Sequence, residues 1–280
     1  MCCVPELPEV ESVVRSLAPR LVGRRIESAW TSGKKLRAVG GVALKTGLVG
    51  RRVESLRRRG KFIVAELSGH GALVAHLGMS GQLTFASPTD ELRPHTHVRL
   101  DLGGALELRY VDPRRFGFVA AYQKIADCPS LRALGLDPFD DQFTPAWLLG
   151  RLGATRRDLK AFLLDQTEIA GLGNIYVCEA LFTAGLHPQA PSASVTDAER
   201  LHAAICSILT VAIANRGTSF SDYVDADGQA GSNQLSLAVY GREAESCRVC
   251  SRKIQRLVQS GRSTFYCPRC QPKPRNQRRR

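Results

Sequence analysis

The sequence predicts an α+β protein of more than one domain, with a strand-rich first half, a helical second half and a short cysteine-framed ribbon at the end. Three observations predict it. Apolar residues recur with a period of about two before residue 128 and near 3.6 after residue 145. Cys128-Pro129, Asp137-Pro138 and Thr144-Pro145 break regular structure between those regions. Cys247, Cys250, Cys267 and Cys270 then form a C-x2-C-x16-C-x2-C pattern.

One helix opens the first half. Val10, Val13, Val14 and Leu17 fall on one helical face, Pro8 suits its first turn, and Glu9 and Glu11 suit the positive end of its dipole. Short apolar or alternating runs follow at 63–67, 72–77, 98–102 and 106–111. Turns such as Ser68-Gly69-His70-Gly71 and Gly103-Gly104 separate them, as in a β-sandwich or barrel. Beyond the prolines, helical patterns cover 146–152, 159–165, 175–184 and 197–215. The stretch 217–232 is rich in Gly, Ser and Asp, too polar for core, and is either a mobile surface loop or one that orders over a ligand. There is no internal repeat.

The 280 residues are enough for two domains with separate cores. Lys and Arg number 39 against 26 acids, a net charge of +13, which implies a polyanionic partner and above all nucleic acid, or else a generally basic solvated surface. The arginines come in blocks: Arg51-Arg52, Arg57-Arg58-Arg59 with Lys61, Arg114-Arg115, Arg156-Arg157 and Arg278-Arg279-Arg280. Each block can neutralise backbone phosphates, the last from a disordered tail. The longest apolar run, 203–214, is too short to cross a bilayer and reads as a buried helix. No secretory signal is apparent, so the expected compartment is the cytoplasm, and disulfides are not expected. The scattered Cys2, Cys3, Cys128, Cys178 and Cys206 read as small apolar or incidental residues.

Two C-x2-C pairs let four thiolates reach one tetrahedral Zn2+, a structural site with no open position for catalysis. Between the pairs, 253–259 and 263–266 alternate like two strands around a Ser260-Gly261 turn. Arg262 beside that turn suits a DNA groove, or is a plain surface arginine. Gly171-Leu172-Gly173-Asn174 precedes a helix, where glycine-rich backbone and the Asn174 amide can hold a phosphate or simply form a capped turn. Asp112-Pro113-Arg114-Arg115-Phe116-Gly117 follows a strand. Its Arg114 and Phe116 either fill a gap in a base stack or form an Asp–Arg pair over a core Phe. Met79 lies in Leu77-Gly78-Met79-Ser80-Gly81, with little local packing, as a probe would. In His95-x-His97 one ring touches a phosphate or caps a turn.

Together with Pro5-Glu6-Leu7-Pro8-Glu9-Val10-Glu11, Lys61, Gly173-Asn174-Ile175-Tyr176 and Val239-Tyr240-Gly241-Arg242, these blocks resemble, in order, the formamidopyrimidine-DNA glycosylase family. The resemblance implies a β-sandwich catalytic domain over 1–132, a linker over 133–145, a helix–two-turn–helix domain over 146–240, a zinc finger over 241–271 and a basic tail over 272–280. Damaged double-stranded DNA would bind in the cleft between domains of a monomeric, bacterial, nucleoid-associated enzyme. Such an enzyme removes oxidised purines and then cleaves the strand. By motif, Pro5 would be the Schiff-base nucleophile, Glu6 its general acid/base, and Lys61 an assistant near the sugar. Met79, Arg114 and Phe116 would fill the void of the everted base. Asn174 and Arg262 would grip phosphates, Arg262 also serving the elimination, with His95 and Arg156 as further backbone contacts. The segment 217–232 would contact the flipped base.

A proline nitrogen inside a peptide bond is an amide and no nucleophile. The sequence therefore carries an expectation about Met1-Cys2-Cys3-Val4: Val4 is the true initiator, from a GTG codon, and its removal frees Pro5. A terminal amine titrates roughly 2.5 units below a lysine side chain, so more of it is neutral at pH 7. The rival readings are an endonuclease VIII-like enzyme for oxidised pyrimidines, which Leu7 and the Met79/Arg114/Phe116 set disfavour, and a non-catalytic zinc-ribbon binder of damaged DNA.

Overall fold

The computed structural model describes residues 4–38, 40–220 and 223–273. Of the segments singled out above, Met1-Cys2-Cys3, Ser221 and Asp222 of the polar stretch, and the arginine tail lie outside these residues. The described chain forms two compact units, one of residues up to Leu134 with Ala212–Gln234, the other of Gly135–Val211 with the residues from Leu235 onward.

The first unit starts with helix α1 (Leu7–Leu21), which carries Pro8 at its start and buries Val10, Val13, Val14 and Leu17. Strand β1 (Ser28–Thr31) and the short helix α2 (Leu44–Leu48) follow. Then come β2 (Val53–Arg59), β3 (Phe62–Leu67), β4 (Gly71–His76), β5 (Gln82–Ala86), β6 (Thr96–Asp101), β7 (Glu107–Val111) and β8 (Phe118–Tyr122). A single turn of helix, α3 (Pro129–Arg132), ends the run. The strands make two antiparallel four-stranded sheets in the orders β1-β6-β7-β5 and β2-β3-β4-β8. One core joins them, with Ile63, Ala65 and Leu73 of one sheet, Leu83, Val98 and Leu108 of the other, and the valine face of α1. This is a β-sandwich.

Strand β4 is buried on both faces. Leu73 and Ala75 enter the main core, while Ala72 and Val74 join a second cluster with Phe118, Tyr122 and Cys128. Its continuous apolar run has that cause. Strand β2 is disguised in the sequence by three arginines and by a register shift between Val53 and Ser55. Its arginines do not all face solvent. The Arg58 side chain is 8% exposed and pairs with Glu11 at 3.1 Å, so it is part of the fold and not a free phosphate ligand.

The second unit holds helices α4 (Pro145–Gly153), α5 (Leu159–Leu163), α6 (Asn174–Ala184) and α7 (Glu199–Ala214), the last turn of α7 belonging to the first unit. Thr144 caps α4 by accepting the Trp147 N–H at 3.1 Å, with Pro145 next in line. Helix α6 is mostly buried, with Glu179 as its one acid, and Gly185, left-handed at φ 72°, ends it. A hairpin of β9 (Gln255–Gln259) and β10 (Arg262–Tyr266) turns through Ser260 and Gly261, both at positive φ. Among the described residues no helix is long and apolar enough to cross a membrane.

The polar stretch 217–232 is less exposed than its composition suggests. Thr218, Asp225 and Ala226 are buried. Asp225 accepts the N–H groups of Asp227 and Gln229 at 3.0 and 2.8 Å, so its polarity is satisfied internally.

Candidate active site

Pro5 and Glu6 lie buried at the N-terminal end of α1, where Glu6 is the residue before the first helical turn. Their surroundings are set by Glu9, which the sequence marks only as a dipole-favoured acid. The Glu6 N–H donates to Glu9 Oε2 at 2.8 Å, closing a capping box, while Glu9 Oε1 accepts the Thr218 N–H at 2.7 Å. The Tyr223 hydroxyl donates to the Glu9 carbonyl at 3.1 Å. The Glu9 side chain thus ties the helix start to Thr218, and its backbone carbonyl ties it to Tyr223. Glycine is needed at Gly217, because a Cβ there would meet the Glu9 carboxylate. The acid-x-x-acid spacing of Glu6 and Glu9 was the available sequence signal.

Lys61 sits half-buried in the β2–β3 turn near His76. His76 packs between Phe62 and Phe118, with ring centroids 4.8 and 6.2 Å away, and its Nδ1 accepts the Gly78 N–H at 3.0 Å. Burial, with the nearby charges of Lys61 and Arg37, lowers its pKa to about 4. The ring is neutral at pH 7, with Nε2–H available as a donor.

Met79 is half-buried in the turn between β4 and β5, and Arg114 and Phe116 are exposed in the turn after β7. The structure brings these turns together. A Cβ on Gly78 would strike the Phe116 and Gly117 backbone, and one on Gly117 would strike the His76 carbonyl and the Tyr110 hydroxyl. The Arg114 guanidinium lies 4.9 Å from the Phe116 ring centre, and that of Arg37 5.5 Å. Asp112 does not pair with the Arg114 side chain. Its carboxylate takes the Arg114 and Gly117 backbone N–H groups instead, at 3.2 and 2.9 Å.

The two histidines of His95-x-His97 separate. His97 is buried, with Nδ1 2.9 Å from Ser32 Oγ and Nε2 3.0 Å from the Asp112 carbonyl. His95 is exposed, left-handed at φ 65°, and accepts the Asp112 N–H on its carbonyl. Only the His95 ring is open to a ligand.

On the second unit, Asn174 is the first residue of α6 and is directed at the hairpin. Its Nδ2 donates to the Ser263 carbonyl at 2.9 Å, so it is joined to the residue after Arg262. Its Oδ1 is buried without a partner, and Arg262 itself is exposed. Two residues missed by sequence reasoning brace the same place. Buried Lys160 donates to the Ser263 carbonyl at 3.2 Å and to Thr264 Oγ1 at 2.5 Å. Glu179 accepts the N–H groups of Ala238, Val239 and Tyr240 at 2.7–2.9 Å, fixing the loop whose Tyr240 ring packs on Phe265. Arg156 is exposed, whereas Arg157 pairs with Asp165 and Glu168 at 2.6 and 3.0 Å.

The four cysteines meet across the base of the hairpin, with all Sγ atoms within 4.8 Å of one another. Cys247 and Cys270 are 3.9 Å apart, Cys250 and Cys267 3.4 Å. Tetrahedral Zn–S bonds of about 2.3 Å separate sulfurs by about 3.8 Å, so the set fits one structural Zn2+. The Val249 and Cys270 N–H groups point at Sγ of Cys247 and Cys267, at 3.4 and 3.5 Å, and stabilise thiolates there.

Three family profiles cover the chain in order. The formamidopyrimidine-DNA glycosylase N-terminal domain matches residues 4–119, the H2TH domain of the same enzymes residues 134–224, and the zinc finger found in FPG and IleRS residues 244–273. The formamidopyrimidine-DNA glycosylase of Geobacillus kaustophilus is 43% identical over 96% of this chain and 100% of its own length. Among solved structures, Lactococcus lactis Fpg bound to abasic-site DNA superposes with a TM-score of 0.88 at 34% identity, covering 96% of this chain and 100% of that one. MutM (FPG) of Thermus thermophilus gives 0.86 at 38% identity, over 97% and 100%. The order of motifs, the sandwich, the helical unit and the cysteine-framed hairpin all agree with these matches, and the chain belongs to the formamidopyrimidine-DNA glycosylase family.

Proposed function

We propose that this chain excises oxidised purines, including formamidopyrimidines, from duplex DNA through a Schiff base on Pro5 and then cuts the strand. It is a DNA glycosylase and DNA-(apurinic or apyrimidinic site) lyase of base excision repair, acting on damaged double-stranded DNA as a monomer with one structural Zn2+. The L. lactis relative of matching fold binds Fapy-dG and abasic-site DNA. The expected location is with the bacterial chromosome.

The observation that carries the catalytic assignment is the juxtaposition of Pro5 and Glu6 at the buried head of α1. With Pro5 terminal, its secondary amine attacks C1′ of the everted nucleotide as the C1′–base bond breaks, giving a cationic iminium after ring opening. The iminium accepts the electron pair left when the C2′ proton is removed, so the 3′ phosphate leaves, and loss of the C4′ proton into the conjugated iminium then expels the 5′ phosphate. The dipole of α1 favours the neutral amine, and Glu6 relays protons. Met79, Arg114 and Phe116 offset the cost of eversion by occupying the vacated stack. Asn174, Arg262, His95 and Arg156 hold backbone phosphates, Lys61 serves the sugar, and the stretch 217–232 closes on the flipped base.

Borohydride trapping tests the assignment. A protein whose intact mass starts at Pro5 becomes covalently joined to abasic DNA, and Pro5→Gly loses most of that product while still binding the lesion. Absence of trapping by the Pro5-terminal protein would leave the binder reading in its place. Faster excision of thymine glycol than of 8-oxoguanine would favour the oxidised-pyrimidine branch.

A further inference from the structure

We propose that Asp112 is a positioning residue that locks the Met79 turn and the Arg114–Phe116 turn into one stiff wedge. This rests on the reading of Met79, Arg114 and Phe116 as the side chains that enter the duplex.

Asp112 is fully buried and makes no ion pair among the described residues. Its carboxylate is saturated by neutral donors. Oδ1 accepts Ser80 Oγ–H at 2.7 Å and the Arg114 N–H at 3.2 Å, and Oδ2 accepts the Gly117 N–H at 2.9 Å and the Tyr110 hydroxyl at 3.0 Å. Three of these donors flank the probe side chains in sequence: Ser80 follows Met79, the Arg114 N–H belongs to a probe, and Gly117 follows Phe116. The fourth, Tyr110, is fully buried in β7, an inner strand paired with β5 and β6. One carboxylate therefore couples the Met79 turn and the exposed Arg114–Phe116 turn to the middle of a sheet.

The probe side chains themselves project from these turns. Phe116 is 41% exposed, and its ring is approached by two guanidinium groups. Separating stacked bases costs a few kcal/mol, and a turn that yields under that load deflects instead of opening the stack. Hydrogen bonds to an ionised acceptor are about twice as strong as neutral ones, which suits a carboxylate to this place. Asparagine is isosteric, but its amide would point donors at donors on one side.

The test compares two substrates in the processed enzyme. Excision of 8-oxoguanine from a duplex needs the wedge, whereas borohydride trapping on a single-stranded abasic oligonucleotide does not. Asp112→Asn should slow excision by about tenfold or more, the loss of at least one strong hydrogen bond, and leave trapping within about twofold. In a Met79→Ala/Arg114→Ala/Phe116→Ala background the same substitution should have no further effect on excision, since it acts through those side chains. Ser80→Ala, which removes the Asp112 tie beside Met79 and an acceptor of the Arg114 N–H at 3.3 Å while keeping the carboxylate, should slow excision by about threefold and supplies the test if Asp112→Asn does not fold. Equal loss on both substrates, full persistence in the triple background, or unchanged excision in the folded variants would overturn the proposal. Failure of the wild-type protein to trap would instead overturn the Schiff-base assignment.

Discussion

Glu9 holds Thr218 by a 2.7 Å hydrogen bond from the Thr218 N–H to Oε1, while its other oxygen holds the N–H of Glu6. Glu9 is 2% exposed, and both donors are backbone groups. Glu9→Gln should therefore set an amide donor against one of them, costing about 1–3 kcal/mol. Hydrogen exchange should speed up at Thr218 and its neighbours, and 8-oxoguanine excision should fall with it. Unchanged exchange there would show that the contact contributes nothing to holding the segment.

His76 gives the fold a predictable acid limb. Its folded pKa of about 4 lies below the unfolded value of 6.5, so the unfolded chain binds more protons between those values. Its contribution is intact above pH 6.5 and is lost as pH falls towards 4, by about 3 kcal/mol in all. The urea midpoint of the wild type should fall relative to that of His76→Phe as pH is lowered through this window. Parallel curves would show that the ring does not titrate as argued.

Arg156 and Arg157 separate a proposed DNA contact from a structural one. Arg156→Ala should weaken binding to any duplex alike and reduce the slope of log K against log salt by about one, with no change in melting temperature. Arg157→Ala should lower stability by at most about 1 kcal/mol, because its two ion pairs are partly solvated. Titration of a fluorescent duplex at several salt concentrations, beside thermal melts, distinguishes the two.

Glu179→Gln should be the more damaging change on the second unit. It replaces an acceptor of three N–H groups with a side chain that accepts on one atom only. A loss of about 2–4 kcal/mol is expected, with hydrogen exchange faster at Ala238–Tyr240.

Removing zinc should disorder the hairpin that Lys160 and Asn174 hold. Binding of a structural Zn2+ contributes on the order of 10 kcal/mol, far more than those hydrogen bonds. Chelation, or Cys267→Ser, should abolish specific DNA binding while the β-sandwich keeps its strand signal in circular dichroism. Retained binding after verified metal loss would contradict the structural role.

Much of the fold was legible because its signals are local. The valine face of α1, the alternation of β7, the Thr144-Pro145 start of α4 and the Ser260-Gly261 turn each follow from neighbouring residues. Strand β2 was hidden because its arginines mask the alternation and a register shift interrupts it. The candidate residues were legible by type, but not by partner. Nothing near Asp112 in sequence announces Ser80, and nothing near Glu9 announces Thr218. The arginine blocks mislead for the same reason: Arg58 and Arg157 find acids elsewhere in the chain, while Arg156 finds none among the described residues.

The sandwich unit is assembled from two stretches of chain, with Gly135–Val211 intervening. During synthesis, at about 5–20 residues per second, the Glu9 carboxylate waits about 10–40 seconds after its own helix can form before Thr218 leaves the ribosome. Until then a nascent β-sandwich carries an acid meant for burial without the Thr218 N–H that one of its oxygens accepts. A fragment ending at Leu134 would stay permanently in that condition, so the isolated N-terminal half should be the less stable and more aggregation-prone part of this protein when expressed alone.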